Sequence, residues 1–120
     1  MAEPMGFLEP NLMTIEDIIN YVCKRNGFIH DDLLEYDKSY NKSTTRYMLW
    51  FYLHVEMKVS IGVLSKMFNR NRPSIFRGIR ILRHDMKLYK DTADRYIALK
   101  TELEAISEET ASNNDMDIID

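Results

Sequence analysis

SIGVLSKMFNRNRPSIFRGIRILRHDMKLY, residues 60–89, divides into three parts. Ser60 is a good N-cap for a brief helix over 61–68, because its hydroxyl accepts a backbone N–H that the first turn leaves without a partner. Asn69-Arg70-Asn71 then turns the chain. Pro73 sits at or next to the first position of a longer helix, about 73–89, where its missing N–H costs nothing. At 100° per residue Ile75, Ile79, Leu82, Met86 and Tyr89 share an arc of about 80°. Arg77, Arg80, Arg83, His84 and Lys87 share an arc of about 120° on the other side. One face is built to pack on a core and the other to carry positive charge in water. A brief helix, a short turn and a longer basic helix make the layout of a helix-turn-helix.

Working outward, four more helices are predicted. Thr14 followed by Asp17 resembles a capping box, and Ile15, Ile18, Ile19 and Val22 repeat at helical spacing before Asn26-Gly27 stops the run. Helix 1 is therefore expected at 15–25. Asp31-Asp32-Leu33-Leu34-Glu35-Tyr36 forms a short second helix with its acids at the positive end, and Asp37 to Ser43 reads as a polar loop. Helix 3 is expected from Thr44 to Met57. Tyr47, Met48, Trp50, Phe51, Tyr52 and Leu53 crowd several of its faces, which makes it the central helix of the core and not a stacking platform for bases. After the basic helix, Asp91 is expected to cap a last helix over 92–106 with Tyr96, Leu99, Leu103 and Ile106 buried. Residues 1–13 contain two prolines and no period, and read as a flexible arm. Residues 107–120 are acidic and aperiodic, and read as a disordered tail. The expected architecture is an all-α, compact domain of five or six helices over 14–106.

Charge points the same way as the motif. The chain carries a net charge of −3, but its distribution is uneven. Residues 42–90 hold eleven basic and two acidic side chains, whereas residues 1–41 hold three and eight, and residues 91–120 two and nine. A basic middle between acidic flanks points to a polyanionic partner. Other classes score poorly. One cysteine, Cys23, excludes an internal disulfide, and with three scattered histidines it makes no zinc site; Cys23 reads as a core or boundary residue. Asp31, Asp32, Glu35 and Asp37 lack the glycine and spacing of a calcium loop. No catalytic constellation stands out, so neither an enzyme nor a cofactor is expected. No apolar run reaches the roughly 18 residues of a membrane span, and residues 1–10 do not have the form of a signal peptide. A monomeric cytoplasmic protein, associated with the nucleoid of a bacterial or phage-infected cell, is the expectation.

The helix-turn-helix assigns its residues by geometry. The second helix enters the major groove N-terminus first, so its first turn must offer hydrogen-bonding side chains. Arg70, Asn71, Arg72, Ser74 and Arg77 are the base-reading candidates. Ser60, with the N–H groups behind it, and Lys66, Arg80 and Arg83 are phosphate candidates.

Several motifs follow one another in a recognisable order. Thr14-Ile15-Glu16-Asp17-Ile18 matches T-I-x-x-I, Leu33-Leu34 supplies a paired leucine, and Arg46-Tyr47-Met48 matches R-x-M. Ser60 to Phe68 matches S-[LI]-x-x-[IL]-[GS]-x-x-F. Asn69 to Ile75 aligns with G-R-D-H-[ST]-T-V, with a turn one residue shorter than many members have. In this order the residues from Thr14 to Ile106 resemble the C-terminal, DnaA-box-binding domain of bacterial chromosomal replication initiators, whose helix-turn-helix is Trp-repressor-like. The resemblance implies double-stranded DNA as partner and a role in replication or transcription control. It also implies that the loop around Thr44, Thr45 and Arg46 meets the minor groove. Asn71, Arg72 and Pro73 stand where the family has Asp, His and Thr, and Thr44 stands near the family's loop arginine, so an altered sequence preference is expected. Arg72 paired bidentately with guanine would contribute about 1–3 kcal/mol of discrimination. No G-x-x-x-x-G-K-[ST] loop for nucleotide occurs. The alternative expectation is a protein-interaction module that kept the fold and lost base reading, binding a replication or phage protein.

Overall fold

Thr14 opens the first helix in the manner its sequence predicts. In the computed structural model, which describes residues 14–34 and 40–119 and the side chains of 14–34 and 41–107, α1 spans Ile15–Asn26. Asp17 N–H donates to Thr14 Oγ1 at 3.0 Å and Thr14 N–H donates to Asp17 Oδ2 at 3.1 Å, a reciprocal capping box. Gly27 ends the helix at φ 72°, in the left-handed region where a side chain is disfavoured. α2 spans His30–Leu34, and its expected last residues, Glu35 and Tyr36, lie outside the described residues. So does the arm at 1–13.

α3 (Tyr40–Phe51) starts four residues before the expected Thr44. Part of the segment expected as a loop is thus helical, because the first turn of α3 is tied to α2. Lys42 Nζ lies 3.1 Å from Asp32 Oδ1, and Arg46 Nε donates to the Leu33 carbonyl at 3.0 Å. Met48, Leu49, Trp50, Phe51, Tyr52 and Leu53 are all buried, six in a row, so the helix is covered on every side. The second difference follows from this crowding. The chain widens into a π turn over Tyr52–Glu56, with Met57 N–H donating to the Tyr52 carbonyl at 3.2 Å. It leaves the turn through Lys58 at φ 62°, where Val59 N–H bonds to the Leu53 carbonyl at 2.9 Å.

α4 (Ile61–Phe68) has the expected bounds, and α5 (Arg72–Leu88) differs from its expected range by one residue at each end. Tyr89, expected on the apolar face of α5, is exposed and is the single residue joining α5 to α6 (Lys90–Ile119). Asp91 accordingly lies in the first turn of α6 and not at its cap. Tyr96, Leu99 and Leu103 are buried as expected, and Ile106 is half-buried. The backbone is helical to Ile119, beyond the point where the apolar stripe stops. No Gly or Pro occurs between Lys90 and Asp120 to interrupt the intrahelical bonds.

The described residues form six helices and no strand, an all-α fold. α3 lies at its centre and makes its most extensive contact with α5. Trp50 meets the edge of Phe68 from α4 (ring centroids 5.9 Å apart, planes at 76°), and Phe51 meets Tyr96 from α6 (5.0 Å, 81°). The tightest approach is at Gly78. A Cβ there would lie 2.7 Å from both Trp50 Cζ3 and Tyr47 Cδ1. α6 is tied to α1 by Arg25, whose Nε and Nη2 each donate to a Glu102 oxygen at 2.8 Å, and by the hydroxyl of Tyr21.

Gly78→Ala is expected to destabilise the fold. Alanine is worth about 1 kcal/mol over glycine in a helix, but overpacking a well-filled core costs about 1–3 kcal/mol, and the buried Trp50 ring has nowhere to go. A net loss of up to about 2 kcal/mol in chemical denaturation is expected. Gly62→Ala is the control. Its Cβ would meet only the far end of the Arg72 side chain, at 3.0 Å, so stability should hold or rise. A lower melting temperature in Gly62→Ala than in Gly78→Ala would contradict this picture.

The hydrogen bonds from Arg25, then from Tyr21, hold the Glu102 carboxyl below its ordinary value. As pH falls the unfolded chain binds this proton first. The contribution of Glu102 is therefore whole above the ordinary carboxylate range and is lost as pH drops through the lower folded value. Glu102→Gln should melt below wild type at pH 7, and the two curves should converge in acid.

Candidate nucleic-acid interface

The motif between Ser60 and Leu88 is held by local hydrogen bonds. Ser60 is extended (φ −70°, ψ 153°), and its Oγ accepts from Val63 N–H at 3.1 Å. Leu64 N–H donates to the Ser60 carbonyl at 3.1 Å. Ile61 and Gly62, the first two positions of α4, have no earlier carbonyl of the helix to bond, so their N–H groups give that end its positive character. Asn69 ends α4 at φ 52°, ψ 49°, a left-handed conformation asparagine tolerates. Arg70 N–H then donates to the Ser65 carbonyl at 3.0 Å, and Ser65 Oγ donates to the Arg70 carbonyl. Asn71 begins the next helix: its Oδ1 accepts from Ser74 N–H at 2.9 Å. Arg72 and Pro73 occupy the first two positions of α5.

On this frame the candidates separate into three groups. Arg72, Arg77, Arg80 and Arg83 are exposed along α5, and Ser60, Lys66 and Asn71 are exposed beside them. Arg70 and Ser74 are half-buried in the turn and the first turn of α5. Thr44, Thr45 and Arg46 are buried on α3.

Three expectations change as a result. Arg46 is only 4 % exposed and its Nε donates to the Leu33 carbonyl, so it holds the C-terminal end of α2 instead of offering charge to a phosphate. Thr44 and Thr45 are enclosed with it, because α3 begins early and takes up the segment expected to be a loop. Asn71 spends its side-chain oxygen on the cap, which leaves only its amide NH₂ to offer a ligand. Arg72 folds back over α4: its Nη2 lies 3.0 Å from where a Cβ on Gly62 would stand. A guanidinium and the N-terminal end of α4 thus converge, an arrangement suited to an oxyanion.

The electrostatics of the α5 face are uniform. Among the described residues no carboxylate lies within ion-pair distance of Lys66, Arg72, Arg77, Arg80, Arg83 or Lys87; the ion pairs present join other residues. Two of these cations rest on aromatic rings. Arg83 Cζ lies 5.4 Å from the centroid of Phe51, and Arg80 Cζ 5.9 Å from that of Phe76. Phe76 is the residue that the charge pattern passes over. It is 55 % exposed although Ile75, Ile79 and Leu82 of the same helix are buried; Leu88, the last residue of α5, is exposed as well. The sequence carried a signal for it, since one position past Ile75 a helix has turned by about 100°.

Other chemistry finds little here. Cys23 is buried and burial pushes its thiol up, first among the causes. Among the described residues no three His, Cys, Asp or Glu side chains gather as metal ligands, and no helix is long and apolar enough to cross a membrane.

Arg46→Ala is expected to lower stability by about 2 kcal/mol, the scale of one buried charge-assisted hydrogen bond. The expected loss appears in denaturant melts, and an unchanged melt would contradict the structural role assigned to Arg46. In comparisons with known proteins, no protein-family model matches this chain, and no curated protein matches it significantly.

Proposed function

We propose that this chain binds double-stranded DNA through α4, the turn at residues 69–71 and α5, and acts in replication or transcription control. The reading is carried by one observation: the solvent face of α5 presents Arg72, Arg77, Arg80, Arg83 and Lys87 without a carboxylate partner among the described residues. Such a row of unneutralised cations gains most from a regular polyanion, whose condensed counterions are released on binding. A helix preceded by a short capped helix also has the form that a major groove admits.

The roles divide along the helix. Arg72 and Arg77, in the first two turns of α5, are nearest the base edges, with the Asn71 amide and Ser74 beside them. Ser60, the N-terminal end of α4 and Lys66 hold phosphates on one flank. Arg80 and Arg83 hold them further along α5, where Arg83 is steadied on the Phe51 ring. The resemblance to the DNA-binding domain of replication initiators supports the same reading. The burial of Thr44, Thr45 and Arg46 argues for a mode of binding without that family's minor-groove loop.

That burial also favours a second reading, in which the fold serves as an interaction module for a replication or phage protein. Leu88, Tyr89 and Ile97 are exposed near the α5–α6 junction and offer it an apolar contact. A random-site selection that returns no motif, together with a stable protein partner, would select this reading over the first.

Titrating duplex binding against salt tests the proposal. The logarithm of the binding constant should fall steeply and linearly with the logarithm of salt concentration. Lys66→Ala should weaken binding to all sequences alike and reduce that slope by about 1. Arg77→Ala should relax preference at one position of the site, by about 1–3 kcal/mol. Absence of duplex binding at low salt would overturn the proposal.

A further inference from the structure

We infer that Phe76 is a specificity residue that reads the 5-methyl group of thymine in the major groove, an inference that rests on the duplex-binding reading above. The starting point is its unusual place. At 100° per residue Phe76 falls within the arc of about 120° that holds Arg77, Arg80, Arg83, His84 and Lys87, not in the stripe of Ile75, Ile79 and Leu82. Its side chain is 55 % exposed, although the buried side of α5 is filled by large apolar residues. Pro73, also exposed, lies three residues earlier on the same side, so the two make a short apolar strip along the first two turns. Cations border this strip: Arg72 at its start, Arg77 next to it in sequence, and Arg80 with its guanidinium 5.9 Å from the Phe76 ring centroid.

An apolar ring surrounded by unpaired cations selects a partner that offers both negative charge and an apolar group. A duplex does so in one place. Its phosphates line the groove, and the thymine 5-methyl is the apolar feature of the base edges there, a group that phenylalanine contacts in direct readout. Phe76 is the fifth residue of α5, about 6 Å along the axis from its first residue, and so lies in the part of the helix that enters a groove first. The neighbouring Arg80 guanidinium already lies over the ring at cation–π distance, which limits the side-chain freedom lost on binding. One phenylalanine and one proline are too small an apolar surface to hold a lipid bilayer.

Uracil substitution separates this contact from every other one, because it removes the methyl and leaves base pairing and the phosphates unchanged. A duplex recovered by random-site selection with the full chain would be resynthesised with uracil in place of thymine, one position at a time. At one or two positions wild type should lose about fourfold in affinity, the value of one buried methyl, and Phe76→Ala should bind the thymine and uracil duplexes equally. Phe76→Leu, which keeps an apolar contact, should retain part of the discrimination. The salt dependence should be the same for all three proteins, since no phosphate contact is altered; a changed slope in Phe76→Ala would assign the residue to helix placement and overturn the inference. Equal binding of thymine and uracil duplexes by wild type, a selection that returns no thymine, or full discrimination in Phe76→Ala would also overturn it while leaving duplex binding intact. Loss of duplex binding altogether in wild type would instead remove the proposed function itself.

Discussion

α3 and α5 approach each other so closely at Gly78 that no Cβ fits between them. The Trp50 and Tyr47 rings of α3 occupy that space, and this contact sets the position of everything that the basic helix presents. Because Gly78, Ile75, Ile79 and Leu82 are all buried, with α3 the element α5 meets most extensively, the opposite arc of α5 must face solvent, and that arc is the one carrying the arginines. The same Trp50 ring touches Phe68 at the end of α4. A single buried side chain therefore fixes both helices of the motif relative to each other. Its indole N–H has no hydrogen-bond acceptor among the described residues, so packing and not polar pairing is what holds the ring in place.

From this contact the electrostatic asymmetry follows. An exposed arginine is inexpensive in water, but a row of them is self-repelling unless a counter-charge is near. Several acidic residues are paired elsewhere. Glu102 binds Arg25, Glu56 binds Lys100, and Asp32 binds Lys42. These pairs join α1 to α6, the π turn to α6, and α2 to α3, which leaves the α5 face uncompensated among the described residues. The modest net charge of the whole chain hides a fold in which negative charge closes the scaffold and positive charge is left over at one surface.

The same partition explains which expectations about the site stood and which changed. Ser60, Asn69 and Asn71 act through bonds to residues three or four positions away, and Pro73 through its place at the start of α5, so their roles as caps and turn-formers are legible from spacing. Arg46 is different. Nothing in its sequence neighbourhood distinguishes an arginine that meets a phosphate from one that caps the carbonyl end of a neighbouring helix. The choice was made by α2 packing over the first two turns of α3, a contact between segments more than ten residues apart. Phe76 shows the opposite case: periodicity alone places it among the cations, yet its meaning depends on knowing that it stays exposed in the folded chain.

The amino-acid sequence by itself determined the helical class, the capping box at Thr14, the bounds of α4 and, within a residue, those of α5, because these depend on hydrogen bonds and side-chain periods that act over a single turn of chain. It also determined that a basic segment lies between acidic ones. Only the tertiary structure decided that α3 starts at Tyr40 and widens into a π turn at Tyr52, and that Thr44, Thr45 and Arg46 lie inside. It likewise decided that Arg72 leans on α4 and that Phe76 stands open beside Arg80. Burial and pairing are properties of two surfaces meeting, and which surfaces meet depends on how the helices fill space around Trp50.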